Sequence, residues 1–210
     1  MKFQPFALLM TAAASLGSVL GTSVAPAAGI APTAQQTDPI GVGADLPEVE
    51  VTSIKGEDVS LRDIADGKPT VLVFFRGGWC PICSRHTAEL IKVHPKIQEA
   101  GAQIVAISPD NESSSKDNIA KNSIPFPVFS DADVSAAKAF GLAFQVDDGT
   151  LEKYKGYGID LEKASGFDHH ALPIPAVYIT DANGKIVYAH SDPNYRERLD
   201  PKKILDNLPK

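Results

Sequence analysis

The run Thr70-Val-Leu-Val-Phe-Phe75 restricts the fold of this 210-residue chain more than any other segment. Its side chains are β-branched, aliphatic or aromatic with no polar alternation, so both faces of the strand must be covered, as in a largely parallel sheet clad by helices. Gln103-Ile-Val-Ala-Ile-Ser108 reads the same way. Between them, Cys80 to about Ala100 has helical spacing, with Leu90, Ile91, Val93 and Ile97 apolar, Gly101 as a stop and Pro95 as an expected kink. Pro81 suits the first turn of that helix, where a missing N–H costs nothing. The alternation continues with a polar helix at about 114–121, a short strand at 126–129 interrupted by Pro125 and Pro127, and a helix at 133–140 ended by Gly141. Ala176–Thr180 and Lys185–Ala189 flank Asn183-Gly184, a strong hairpin signal, and a helix at about 201–208 closes the chain. A leading hairpin is expected where Val49, Val51 and Val59, Leu61 flank Lys55-Gly56-Glu57-Asp58. Residues 142–172 are less regular and read as an insertion near the active face, with a short helix at about 150–157. The expected class is α/β, a mixed central sheet flanked by helices, with ligands at the carboxyl ends of its parallel strands.

The first 27 residues read as an export signal. Lys2 precedes an apolar run that begins at Phe6-Ala-Leu-Leu-Met10, and Ala25-Pro26-Ala27 is an A-x-A site with cleavage expected after Ala27. Thr11, Ser15, Gly17, Ser18, Gly21, Thr22 and Ser23 dilute the run below a membrane span, so an exported, periplasmic or secreted protein with no membrane attachment after cleavage is expected. Residues 28–45, rich in Ala, Gly, Pro, Thr and Gln, read as a flexible linker, and residues 46–210 as the folded domain. With 20 basic against 26 acidic residues and a net charge of -6, electrostatic capture of nucleic acid is excluded. The 43% hydrophobic content excludes a disordered chain.

The chain has two cysteines, Cys80 and Cys83, too few for a disulfide scaffold. They sit where a buried strand gives way to a helix. A cysteine in the first helical turn faces unsatisfied backbone N–H groups and the positive end of the helix dipole, which favours its thiolate. In Cys-x-x-Cys pairs the pKa falls to about 3.5–7.5, and the second sulfur lies one turn on, able to resolve a mixed disulfide or a sulfenic acid. A structural disulfide is the competing reading in an exported protein, but so small a loop gains little from closure. Haem attachment would need His where Ser84 stands. Zinc would need two more ligands, and His86, six residues on, does not share the Cys80 face. Arg76 either adds positive charge beside the sulfurs or stays solvated in its loop, and Trp79 either lids the sulfur or anchors the loop. His169-His170 offers imidazole for a copper site with the two thiolates, or two solvated loop histidines. His94 reads as packed or solvated, and Asp110 as a cap or turn residue.

Four stretches, "TVLVFFRGGWCPICSRHTAEL" from Thr70, "VAISPD", "FSDAD...AKAFGL" and "LPIPAVYITDANGKIVYAHSDPNYRERLDP", resemble the peroxiredoxin-like branch of the alkyl hydroperoxide reductase and thiol-specific antioxidant family over residues 46–208. The resemblance implies a thioredoxin-like fold and reduction of hydroperoxides or disulfides by cysteine chemistry. With the pair, it points to a disulfide between Cys80 and Cys83 and a thioredoxin-like dithiol protein as reductant, and no cofactor or metal is expected. Its motifs leave two nucleophiles open. Cys83 falls at the peroxidatic position of Thr-x-x-Cys, with Cys80 in place of the threonine, whereas thioredoxin-like reductases use the first cysteine, here Cys80. Pro175 stands where thioredoxins carry a cis-proline facing the disulfide and where peroxiredoxins often place an arginine, for which Arg76 is the candidate substitute. Three functions stay in play: an exported thiol peroxidase cycling through a Cys80–Cys83 disulfide, a protein disulfide reductase, and a copper-binding chaperone.

Overall fold

The structure is a computed structural model that describes Met1, residues 29–65 and residues 67–209. Beyond Met1, the expected export signal at 1–27 lies outside the described residues. No helix among the described residues is long and apolar enough to cross a membrane.

In chain order the elements are β1 (Glu50–Thr52), β2 (Asp58–Ser60), α1 (Leu61–Ala65), β3 (Thr70–Phe74), α2 (Pro81–Glu99), β4 (Gln103–Ser108), α3 (Glu112–Asn122), β5 (Val128–Ser130) and α4 (Ser135–Ala139). There follow β6 (Ala143–Gln145), α5 (Asp148–Gly156), α6 (Leu161–Ser165), β7 (Ala171–Pro173), β8 (Ala176–Thr180), β9 (Ile186–Ser191) and α7 (Pro201–Asp206). Seven strands form one sheet in the order β2-β1-β5-β4-β3-β8-β9. β3, β4 and β5 are parallel, with Val71 opposite Ile104 and Ala106 opposite Val128. β8 runs antiparallel to β3, and β9 returns antiparallel to β8. This is the mixed, helix-flanked sheet expected from the sequence, and the fold is thioredoxin-like.

Every residue of β3 and β8 is buried, because both faces of the sheet carry a core. Val71, Val73 and Phe75 point to one face, against Leu90 and Ile97 of α2 and Ile204 of α7. Leu72 and Phe74 point to the other, against Leu61 of α1, Phe140 and Tyr178. Phe74 is held between the Phe140 ring, centroids 4.7 Å apart, and the edge of Tyr178 at 6.3 Å. Truncating such a side chain to alanine costs about 3–5 kcal/mol. The site loop therefore leaves the end of a strand fixed from both sides.

Three expectations change. The third parallel strand is Val128–Ser130, shifted past Pro127, whose missing N–H keeps it out of the ladder while its carbonyl accepts from Ala106. The 142–172 insertion holds two short helices, α5 and α6, and a separate two-stranded sheet of β6 and β7. The residues assigned to a flexible linker are docked. The Ala31 N–H donates to Ala143 O at 2.9 Å, Gln145 N–H donates to Ala31 O at 2.8 Å, and Ile40 packs into the core. Backbone ladder bonds to β6 supply what the weakly apolar side chains of this segment cannot. Pro95 lies inside α2 without ending it.

Candidate active site

After Phe74 the strand pairing persists one residue further, Phe75 N–H to Ile107 O at 3.0 Å, and the chain turns through Arg76-Gly77-Gly78-Trp79 into α2. Gly77 has φ +139, and a Cβ there would sit 2.3 Å from Trp79 Nε1 and 2.6 Å from Asp110 Oδ1, so the turn tolerates only glycine. Asp110, expected as a cap or turn residue, is 1% exposed and pins this loop by accepting the Gly78 N–H on Oδ2 at 2.6 Å. Its Oδ1 lies beside the Trp79 indole without a hydrogen bond of good geometry. Burial, and secondarily the Cys80 charge, raise the Asp110 carboxyl to about 6.

Cys80 is the N-cap of the 19-residue α2, with Pro81 next to it as anticipated. Its Sγ accepts the Cys83 backbone N–H at 3.4 Å, the place a capping oxygen usually takes. Both cysteines are free and buried. A hydrogen bond from the Cys83 side chain is the largest influence pulling the Cys80 thiol down to about 6; burial opposes it, and the Cys83 N–H, Arg76 and Arg198 add to it. Burial holds Cys83 far above the ordinary thiol range, and the bond it gives Cys80 pushes the same way. The pair is polarised, with a thiolate at the helix N-terminus and a proton-bearing thiol one turn behind.

Arg76 is 3% exposed, which settles the choice between a solvated and a buried guanidinium. It donates to the Tyr154 hydroxyl and lies over the rings of Tyr195 at 4.2 Å, Trp79 at 5.3 Å and Tyr154 at 5.5 Å. Its Nε is buried without a partner among the described residues. Burial lowers its pKa, and the two cysteines are the largest opposing influences. Arg198, from the segment between β9 and α7, donates to Cys83 Sγ at 3.4 Å. Neither arginine has a carboxylate ion-pair partner among the described residues. The site is thus a cationic cage around two sulfurs. Arg198, Tyr154 and Tyr195 were not read from the sequence. They arrive from distant segments, and the run Tyr195-Arg-Glu-Arg-Leu carried no periodicity that marked them.

Trp79 packs against Tyr154, ring centroids 5.5 Å apart. Pro175 lines a cleft with Arg76, Tyr154 and Tyr195. The Ile174–Pro175 bond is not cis, since no cis peptide occurs among the described residues, so that feature of thioredoxins is absent here. The histidines do not join the sulfurs. His169 Nε2 donates to Ala132 O at 2.8 Å while Nδ1 accepts the Ala171 N–H at 2.9 Å, and His170 Nε2 faces Glu162 at 2.8 Å. With His169 saturated and His170 turned to a carboxylate, neither joins the two thiolates as the copper reading required, and no group of three metal-ligating side chains exists among the described residues. His86 is 5% exposed, one turn beyond Cys83 on α2, and burial above all holds it near 4. His94 packs against Phe126.

A Bacillus thuringiensis subsp. konkukian protein, thiol-disulfide oxidoreductase ResA, is 25% identical over 160 residues, which is 76% of this chain and 75% of that one. Chloroplastic peroxiredoxin Q of Sedum lineare is 30% identical over 118 residues, 56% of this chain and 62% of that protein. Among solved structures, reduced Prx3 in complex with H2O2 from Vibrio vulnificus superposes with a TM-score of 0.65 at 20% identity, covering 80% of this chain and 97% of that one. Peroxidoxin BcpB from Mycobacterium tuberculosis superposes with a TM-score of 0.60 at 17% identity, covering 80% and 96%. Residues 42–189 match the AhpC/TSA family across the whole stretch from the first strands to β9. The chain belongs to the AhpC/TSA family and is a thiol-dependent oxidoreductase.

Proposed function

We propose that this protein reduces hydroperoxides, with Cys80 as nucleophile and Cys83 as resolving thiol. The observation that carries the reading is the position of Cys80 Sγ at the helix N-cap, accepting the Cys83 N–H inside a cage that includes the buried Arg76. The Cys80 thiolate attacks the terminal peroxide oxygen, the O–O bond breaks, and the sulfur is oxidised to sulfenic acid while the departing alkoxide takes a proton and leaves as alcohol, or as water from hydrogen peroxide. Arg76 and Arg198 offset the negative charge that develops on the departing oxygen. The Cys83 thiol then gives up its proton and attacks the Cys80 sulfur, releasing water and forming the Cys80–Cys83 disulfide. A dithiol protein of thioredoxin type returns both sulfurs to thiols and becomes a disulfide itself. In this reading the chain is exported through residues 1–27 and works where disulfides persist, which is why an external reductant is required.

Stopped-flow mixing of the reduced protein with hydrogen peroxide tests the peroxidase step. Oxidation at least tenfold faster than that of a free thiol is expected, and oxidation no faster than a free thiol refutes it. A second reading, reduction of protein disulfides, is favoured by one observation: the lowered thiol is the first of the Cys-x-x-Cys pair, as in thioredoxin-like reductases. Insulin reduction compared with peroxide consumption separates the two.

A further inference from the structure

β1 pairs with β2 along its whole length, Glu50 to Thr52, but meets β5 at one pair only, Thr52 opposite Ser130. Away from that pair, Glu48 to Val51 on one segment and Ala132, Asp133 and Ser135 on the other line a cavity of about 880 Å³. That volume falls among small-molecule sites, which run from about 300 to 1,000 Å³. Neither cysteine nor Arg76 borders it. We propose that this cavity binds a linear polyamine, a chain of ammonium groups separated by methylenes, independently of the chemistry at the sulfurs.

Five carboxylates border the cavity, Glu48, Glu50, Asp58, Glu112 and Asp133, against one cation, Arg62. Arg62 Nε lies 4.0 Å from the Glu48 carboxylate, and the other four acids have no ion-pair partner among the described residues. Asp58 accepts the Thr52 hydroxyl at 2.9 Å and Asp133 the Ser135 N–H at 3.0 Å, neutral donors that leave the negative charge in place. Charges of one sign around a cleft focus their potential into it and concentrate ions of the other sign. A point cation is a poor match. Calcium takes six to eight oxygens at about 2.3–2.6 Å, and no three metal-ligating side chains converge among the described residues. The carboxylates come instead from β1, β2, α3 and the segments flanking them, so the matching cation carries its charges spaced along a chain.

Where β1 and β5 meet, Ser130 borders the cavity, is 2% exposed, and has no hydrogen-bond partner for its Oγ among the described residues. As the residue opposite Thr52, it projects from the same face of the sheet. An ammonium N–H reaching that point donates to the hydroxyl and ends its isolation. Phe167, also on the lining, is 47% exposed, with its ring stacked on His169 at 5.7 Å between centroids. An aromatic face attracts an ammonium group, and with Val49 it offers apolar surface to the methylenes between charges.

Isothermal titration calorimetry of the full-length protein with spermidine tests this, in wild type, the double variant Glu50→Gln/Asp133→Asn, Ser130→Ala and a control, Glu152→Gln, whose carboxylate lies outside the cavity beside Lys155. Wild type is expected to bind one spermidine saturably, and the diamine putrescine at least fivefold more weakly. The double variant removes one exposed carboxylate from each segment and is expected to weaken spermidine binding at least tenfold. Ser130→Ala is expected to weaken it at least threefold, while Glu152→Gln stays within twofold of wild type. Should the double variant give no cooperative melt, Phe167→Ala decides in its place, with an expected loss of at least threefold. No saturable binding by wild type, unchanged affinity in the cavity variants, or an equal loss in Glu152→Gln overturns the proposal. Calcium displacing spermidine at equal concentration marks a metal site and overturns it as well. Pentalysine binding without spermidine binding marks a surface for basic peptides, with the same consequence.

Discussion

Removing the Cys83 side chain should raise the pKa of Cys80, because the hydrogen bond from Cys83 is the largest influence holding that thiol near 6. At pH 7 a thiol of pKa about 6 is roughly 90% thiolate, against about 3% for a free cysteine at about 8.5, a gain of about 30-fold in the reactive species. Intrinsic nucleophilicity falls with pKa at a Brønsted slope of about 0.4–0.5, which over about 2.5 pH units removes roughly tenfold. The net advantage is only about threefold, so thiolate population alone cannot make a fast peroxidase. Any larger acceleration has to come from the arginine cage acting on the departing oxygen. The pH dependence of Cys80 alkylation by iodoacetamide, followed by intact mass and by thiolate ultraviolet absorbance, gives the midpoint directly. Reduced wild type should titrate near 6, and Cys83→Ala should titrate at higher pH; a rise of about one unit takes the thiolate at pH 7 from about 90% to about 50%. Arg76→Met should raise the midpoint by less than Cys83→Ala, since the Arg76 charge is the smaller influence. A wild-type midpoint above 8, or no change in Cys83→Ala, refutes the polarised pair.

Four further outcomes follow from single contacts. Arg76→Met should lower the peroxide kcat/KM by at least tenfold, whereas Cys80 alkylation at a pH where the thiol is fully ionised changes little; equal losses in both assays contradict a role on the departing oxygen. Asp110 has a folded pKa of about 6 against 3.8 for the ordinary carboxyl, so the folded state binds the extra proton. Its contribution is full below about 4 and is lost as pH rises through about 6, so the stability of Asp110→Asn relative to wild type should improve between pH 4 and 7 in urea unfolding; a flat difference speaks against it. The Tyr178 hydroxyl is buried with no partner among the described residues, so Tyr178→Phe should be stabilising by about 1 kcal/mol and raise Tm by about 2–4 °C, and a Tm drop contradicts an orphan hydroxyl. Gly77→Ala should cost most of the activity while leaving the far-ultraviolet spectrum folded, since its Cβ collides with Trp79 and Asp110; wild-type turnover is the contrary result.

The segments that the sequence makes legible are those whose own side chains carry the information. β3 and β4 are continuous apolar runs, and Cys80 and Pro81 mark the start of α2 by local chemistry. What stayed hidden depends on partners far along the chain. Arg198 reaches Cys83 only because β9 returns beside β8 and its following segment passes over α2. Asp110 looks like a turn residue until β4 lands beside β3 and places its carboxylate under Gly78. Residues 29–45 look like a linker because their attachment is mostly through backbone groups, which leave no trace in hydropathy. The copper alternative lost its two histidines to partners that spacing does not show, since the Ala132 carbonyl from a distant segment and the Ala171 N–H take both ring nitrogens of His169 and His170 faces Glu162. The same limit left the nucleophile open. Spacing treats Cys80 and Cys83 as equals, and only burial and the direction of the hydrogen bond between them separate thiolate from thiol.

That separation is the central claim, and trapping the oxidised sulfur tests it most directly. Reduced Cys80→Ser and Cys83→Ser proteins are each mixed with hydrogen peroxide in the presence of dimedone and read by intact mass and peptide mapping. The account predicts a sulfenic acid adduct on Cys80 in Cys83→Ser and none in Cys80→Ser; an adduct on Cys83 in Cys80→Ser, with Cys83→Ser unreactive, contradicts it.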